Sequence, residues 1–315
     1  MNGEALSKAI RVNIFPGVQH LALFAGQAKG FFANQGLEVE IQFTPGSQAQ
    51  RDGLVAGQFE IAHAAVDNAV ALAEMAGIDV VIVLGGDRGM TQLFAQPHID
   101  SVAELRGKVV IVDAPNTAYA LQVKKILLMN GLKAGPDYAL KPLGGTRERL
   151  EAMRQNRDYA ASMFFPPYTF LAEREGFRNL GLAVQFIGPY QDTGAFVLRS
   201  WAAANAGMLE SYIQAYMESL RWALAPASMK EAVRLLAERL NLGLDIAALA
   251  YDYARGQAVG FTPDARLDVE GFKNVLALRA EIEGEWGGKA PAAERYFDLT
   301  YYEHALAKLE GDSHG

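Results

Sequence analysis

The 315-residue sequence contains no cysteine. That excludes disulfides, thiolate metal ligands and cysteine nucleophiles, and it suits an oxidising compartment without requiring one. Long apolar runs are also missing: the longest, such as Val80–Leu84 and Val109–Val112, fall far short of the roughly 20 residues that span a bilayer. Positive charge is not in surplus. The 29 Lys and Arg against 36 Asp and Glu give a net charge of −7, so no global basic field exists to hold nucleic acid or an anionic membrane. HExxH, zinc-type His spacing, GxSxG, a Walker loop and GxGxxG are all absent, and the five histidines are scattered. No catalytic residue, metal or cofactor is therefore expected. The polar opening Met1–Lys8 does not read as a signal peptide, which leaves either a leader already removed or a cytosolic protein.

What is present is ordinary for a folded protein. Half the residues are hydrophobic and 21% are charged, so the chain can bury a full core, as two lobes or one large α/β unit. The first 90 residues alternate strand and helix, the rhythm of a mostly parallel sheet covered by helices. Val12–Phe15 reads as a short strand, and Leu21, Phe24, Ala25, Ala28 and Phe32 recur at helical spacing until Gly36. Leu37, Val39, Ile41 and Phe43 alternate with polar residues as a half-buried strand does. Ser47 and Gln50 have capping-box spacing, predicting a helix from Ser47 to Gly57. Phe59–Ala62 and Val80–Leu84 read as buried strands around a helix striped by Val66, Ala69, Val70 and Ala73.

A second set of the same rhythm has strands predicted at Lys108–Val112, Ala139–Pro142, Ala160–Phe164 and Val184–Ile187, with helices starting near Asn116, Thr146 and Tyr168. Gly194–Leu198 follows as a last strand, and Trp201–Glu283 reads as mostly helical. Its stripes are Ile213, Tyr216, Met217, Leu220 and Leu224, then Phe272, Val275, Leu276 and Arg279. Glycines mark breaks at Gly85–Gly89 and Gly188–Gly194. Read as crossovers, they make the middle segment an inserted lobe joined by two strands, with a ligand cleft between the lobes. Read as loop punctuation, they carry no such meaning.

Several runs resemble a known family. They are Gly26–Gly36 followed by Leu37–Phe43, Gly57–Ala62, Ser101–Lys108, Leu143–Thr146, Phe164–Tyr168 and Leu171–Phe177. In this order they resemble substrate-binding proteins of ABC importers of the sulfonate, taurine, nitrate and thiamine-pyrimidine type. The resemblance implies a type II periplasmic-binding-protein fold: two α/β lobes, 1–88 plus 194–315 and an inserted 89–193, joined by two crossover strands. It implies hinge closure on a small organic ligand, an extracytoplasmic monomer, and membrane contact only through an ABC permease. It does not name the ligand.

Open α/β sheets bind ligands outside the carboxyl ends of their strands. In this chain that rule nominates Phe15, Gly17, Gln19 and His20, then Ser47 and Gln48, then His63, Val66, Asp67 and Asn68. From the middle segment it nominates Asn116, Thr117, Ala118 and Tyr119, then Gly145 and Thr146, then Phe164, Pro166 and Tyr168. Asp87, Arg88 and Tyr190 join them from the glycine-marked breaks. Backbone N–H groups at the helix starts near Asn116 and Gly145 suit a carboxylate, sulfonate or ring carbonyl. Each nominee has a bland rival. Ser47, Asn116 and Thr146 are good N-caps whatever they bind, His63 reads equally as a packed histidine, and Phe164 and Phe165 as core. Arg88 pairs with Asp87 or reaches a ligand anion, and Lys124 and Lys125 read as solvated charge. These nominees are rich in aromatics and amides and poor in cations, which favours a planar or partly apolar ligand. An enzyme on the same fold, a lyase or decarboxylase using His63, Asp67 or Arg88, is the alternative, and a ligand-sensing module is a third reading.

Overall fold

The structure, a computed structural model, describes residues 8–312. Its first sheet is built from β1 (Lys8–Ile14), β2 (Leu37–Phe43), β3 (Ile61–Ala65) and β4 (Val80–Leu84). Between them run α1 (Leu21–Lys29), α2 (Phe31–Asn34), α3 (Ser47–Val55) and α4 (Asp67–Ala76). The chain then crosses into a second sheet of β5 (Gln92–Ala95), β6 (Val109–Val112), β7 (Ala139–Pro142), β8 (Tyr159–Phe164) and β9 (Arg178–Leu182). Its helices are α5 (Ala118–Met129), α6 (Thr146–Gln155), α7 (Tyr168–Arg174) and α8 (Ala183–Ile187). The return strand β10 (Thr193–Leu198) leads to α9 (Arg199–Ala204), α10 (Ala206–Leu224), α11 (Met229–Leu240), α12 (Leu244–Ala254), α13 (Val269–Glu283) and α14 (Thr300–Asp312).

The two sheets share a plan. The first is ordered β2-β1-β3-β10-β4 and the second β7-β6-β8-β5-β9. In each, the strand that has just crossed over sits antiparallel inside an otherwise parallel arrangement: β10 between β3 and β4, and β5 between β8 and β9. Two α/β lobes result, joined through residues 85–91 and 188–192. Gly194 lets β10 into its slot, because a Cβ there would lie 2.6 Å from the Leu84 carbonyl oxygen and 2.7 Å from Val66.

Side-chain pattern explains most elements. In β2 the alternation buries Leu37 and Val39 and exposes Glu38 and Glu40, as a strand with one wet face requires. The long helix α10 buries Ile213, Tyr216, Met217 and Leu220 against α1, at about 1.5–3 kcal/mol for each large side chain withdrawn from water. Four expectations need correction. Gly30, at φ +77°, ends α1 and opens the separate turn α2, so the first helix does not run on to Gly36. Val184–Ile187 lies in α8, not a strand; the run is too short to carry a period, and β9 takes the edge position instead. Ser47 opens α3, but without a capping box: Gln50 turns inward and donates to the Asn13 carbonyl at 3.0 Å. Lys124 and Lys125 are not simply solvated. They reach from α5 to Glu283 and Glu281 of α13 at 2.6 and 2.5 Å, pairing one lobe with the other.

Candidate functional site

The loops after six strands, β1, β2 and β3 from one sheet and β6, β7 and β8 from the other, converge on one cleft. From the first lobe Phe15, Gln19, Ser47, Ala64, Ala65 and Asn68 line it, with Thr193 from β10. From the second come Asp113, Thr117, Ala118, Tyr119, Gly145, Thr146, Arg149 and Phe165. Within the cleft about 30 Å3 admits the centre of a water molecule. That is room for a water or two, so a larger guest enters only when the lobes part.

Three hydrogen bonds hold the lobes together at the rim. Val18 N–H donates to the Pro166 carbonyl at 3.3 Å, Gly145 N–H to the Pro45 carbonyl at 3.0 Å, and Ser47 N–H to Asp113 Oδ2 at 3.1 Å. Small residues make this approach possible. A Cβ on Gly144 would stand 3.2 Å from the Pro45 carbonyl oxygen, and the residue is left-handed at φ +80°, a conformation glycine adopts freely.

Of the residues nominated from the sequence, Phe15, Gln19, Ser47, Asn68, Thr117, Ala118, Tyr119, Gly145 and Thr146 line the cleft. Gly17 stands behind the wall, where a Cβ would strike the Gln19 side chain and Phe165. The others lie elsewhere, for identifiable reasons. Gln48 donates to Asp52 and accepts from Arg51 on the outer face of α3. Val66 and Phe164 are core. Asn116 is turned out toward Met75. Pro166 serves through its carbonyl at the rim, and Tyr168 faces a separate surface groove. Arg88 neither pairs with Asp87 nor reaches the cleft; its Nη1 donates to the Gln257 carbonyl at 3.0 Å.

Beneath the first lobe's wall lies a histidine cluster. His63 Nε2 shares a 2.8 Å hydrogen bond with the Tyr212 hydroxyl, and its ring stacks on Tyr216 at 5.2 Å. Burial pushes its imidazole down to about 3, because the interior disfavours the cation. His20 stands edge-on to it at 6.0 Å with neither ring nitrogen partnered among the described residues; burial, then the neighbouring His63, drives its pKa well below the ordinary value. Both rings are packed residues and neither faces the cleft.

A second cluster occupies the crossovers. Asp87 accepts from the Thr193 hydroxyl and, at 3.0 Å, from Gly89 N–H; burial pushes its carboxyl up to about 6 against those bonds. Asp192, next to it on the other crossover, is raised well above the carboxylate range by burial and then by the Asp87 charge, while a hydrogen bond from Tyr119 opposes the rise. The Tyr190 hydroxyl is buried beside them without a partner among the described residues. Asp67 is spoken for: Arg279, fully buried, grips its two oxygens at 2.8 and 2.6 Å and donates a third bond to the Asn116 carbonyl across the lobes at 2.9 Å. No group of three or more acidic, His or Cys side chains suited to a metal ion occurs among the described residues.

Six lining residues were not nominated from the sequence: Ala64, Ala65, Asp113 and Phe165 adjoin nominated positions in the same loops, while Thr193 and Arg149 lie outside those loops. Arg149 is the one cation among the described residues that line the cleft. It is 1% exposed and holds the second-lobe wall together through four bonds, from Nε to Ser162 Oγ (2.9 Å), Nη1 to the Gly144 carbonyl (2.7 Å), and Nη2 to Thr146 Oγ1 and the Met163 carbonyl (both 3.0 Å). Its signal was its place in the buried stripe Thr146, Arg149, Leu150, Met153 of α6.

Residues 17–226 match the family model described as NMT1/THI5 like. No curated protein matches the sequence. Among solved structures, one from Bordetella bronchiseptica RB50 superposes with a TM-score of 0.83 at 18% identity, covering 96% of this chain and 98% of its own. The periplasmic nitrate-binding protein NrtA of Synechocystis PCC 6803 gives 0.79 at 15% identity, covering 96% and 89%. The alkanesulfonate-binding protein SsuA of Xanthomonas axonopodis pv. citri, bound to MOPS, gives 0.73 at 14% identity, covering 92% and 96%.

Proposed function

Because the chain belongs to the NMT1/THI5-like family, we propose that it is a solute-binding protein that closes two lobes on one small organic molecule and presents it to an ABC permease. In this reading the lobes are 1–88 with 194–315, and 89–193. The protein works outside the cytoplasm, without a cofactor and without chemical turnover. The observation that carries the reading is the convergence of six strand-end loops, three from each sheet, on one cleft whose two walls hang on separate crossovers. Such a cleft opens and shuts by changes confined to residues 85–91 and 188–192. The nitrate- and alkanesulfonate-binding proteins that share the fold support the same role.

The lining suits capture better than catalysis. Its polar atoms are amides, hydroxyls, helix-start N–H groups, the Asp113 carboxylate and the Arg149 guanidinium, and His63, which a lyase would use as acid or base, stands behind the wall. The test is a thermal-shift screen of organic acids, sulfonates, pyrimidines and aromatic acids, with mass spectrometry of each hit after incubation. A binder raises the melting temperature by mass action and returns its ligand intact; conversion of the ligand would sink the capture reading.

A further inference from the structure

We infer that Arg279 is a positioning residue of the cleft: standing outside the lining, it ties the start of α4 to the start of α5 and so draws the two walls together independently of any guest. This rests on the capture reading above, whose closing lobes it concerns.

Within the first lobe the guanidinium is already satisfied. Nε and Nη2 donate to the two oxygens of Asp67 at 2.8 and 2.6 Å, and Nη1 donates to Glu285 at 2.8 Å. The side chain is 0% exposed, and two carboxylates supply the opposite charge that a buried cation needs. The bond from Nη2 to the Asn116 carbonyl at 2.9 Å is therefore surplus to the needs of that lobe. Its donor is fixed by the bidentate grip on Asp67, so making it orders nothing further on that side. The acceptor is prepared as well. The N–H and hydroxyl of Thr117 both donate to the Ala114 carbonyl, at 3.3 and 2.9 Å, which fixes the turn that carries Asn116. The Asn116 side chain reaches the first lobe separately, its Nδ2 donating to Met75 Sδ at 3.3 Å.

Both ends of this tie adjoin the lining. Asp67 precedes Asn68, and Asn116 precedes Thr117, Ala118 and Tyr119, all four of which line the cleft. Asn68 is itself set in place, with Oδ1 accepting from Arg51 Nη1 at 3.1 Å and Nδ2 donating to the Ala65 carbonyl at 3.3 Å. The seam nearby is apolar: Leu121 of α5 shares a buried cluster with Tyr190 and with Phe272, Val275 and Leu276 of α13. A charged hydrogen bond kept from water is strengthened by the low local dielectric, and salt screens it little. The Lys124 and Lys125 pairs are partly exposed and lack that protection. Walls that are already together give up less of a guest's binding free energy to closure, so Arg279 raises affinity without touching the guest.

The experiment measures the distance between lobes in the full chain without ligand. The sequence has no cysteine, so Ala49→Cys and Arg157→Cys, at exposed positions, put one spin label on each lobe for double electron–electron resonance. The backgrounds are wild type, Arg279→Lys, and Arg279→Met combined with Asp67→Asn. Lysine keeps a cation beside the carboxylates but not the fork that reaches three acceptors, and the double variant removes the charge together with its main partner. Wild type is expected mainly at the shorter distance. The ratio of short to long should fall about 10- to 100-fold in both variants, the range of a hydrogen bond to a charged group, and by the same factor at low and high salt. Urea unfolding shows which variants are folded, and if one is not, the other carries the test. Wild type resting mainly at the longer distance overturns the inference. A folded variant with the wild-type ratio, even one of lower stability, confines Arg279 to a structural role in the first lobe and overturns it too. A factor that fades with salt assigns the hold to the lysine pairs and overturns the role of Arg279. Conversion of a ligand in the screen above sinks capture but leaves these distances as they are, so the two failures are told apart.

Discussion

Acid should cost this protein stability through His63, and the effect can be isolated. The ring is held down to about 3 in the folded state, against an ordinary 6.5. Between those values the unfolded chain binds a proton that the folded chain refuses, so stability is complete above pH 6.5 and falls as the pH drops below it. At pH 5 the loss is RT ln(1 + 10^1.5), about 2 kcal/mol, and because the folded value lies so far below 5 the unfolded value alone sets it. His20 acts in the same direction. The coupled pair Asp87 and Asp192 opposes: burial pushes both carboxyls up, so they take protons in the folded state that the unfolded chain releases, which adds stability in acid. Wild type alone therefore shows a mixture. The clean measurement is urea unfolding of wild type and His63→Gln at pH 8 and pH 5. Glutamine keeps a hydrogen-bonding partner for Tyr212 and removes the titration. Whatever gap separates the two proteins at pH 8 should move by about 2 kcal/mol in the variant's favour at pH 5. An unchanged gap would show that His63 is not held neutral by burial and would refute the reasoning.

Other consequences are equally open to measurement. Arg279→Met leaves Asp67 as a lone buried charge and should cost about 3–5 kcal/mol in denaturant unfolding, with much of it recovered in the double variant carrying Asp67→Asn. Asp87→Asn should reduce the stabilising gain between pH 8 and pH 5, seen as a steeper acid loss than wild type, with the share of the burial-raised Asp192 remaining. Gly194→Val forces a side chain against Leu84 and Val66 and should destabilise by about 1–3 kcal/mol, read from the urea midpoint. Replacing Lys124 and Lys125 with Met severs two half-exposed pairs between α5 and α13, each worth at most about 1 kcal/mol. Small-angle scattering should then show a larger ligand-free radius at low salt, with the difference from wild type shrinking as salt rises.

How much of this was legible in the sequence depends on how far each feature is local. Strands β2, β4, β6 and β7 carry their own pattern of alternation or continuous apolar residues and were read directly. Strands β5 and β9 were not: Gln92–Ala95 is four residues long and Arg178–Leu182 is half wet, so neither offers a period. The strand-end rule found nine of the lining residues, since loops are contiguous in sequence. It missed Thr193, which arrives on an antiparallel strand that the rule does not cover. It missed Arg149 because an arginine in a helix is read by habit as solvated. Arg279 teaches the same lesson from α13: an arginine at an apolar-stripe position, here beside Val275 and Leu276, is buried and has work there.

The position of β10 has a consequence for how the chain is made. A ribosome releases β3 and β4 more than 100 residues before the strand that belongs between them. Until β10 emerges, both strands offer unpaired backbone edges, the feature that invites pairing with another chain. The second sheet has no such wait, because β5 through β9 are contiguous and its inserted strand is the first of the five to appear. The order of birth is thus the reverse of the order of sequence: the middle lobe can finish first, and the lobe that opens the chain is completed only from behind. A nascent chain stalled before residue 193 should be trapped by chaperones through its first 90 residues, while one stalled after α10 should not.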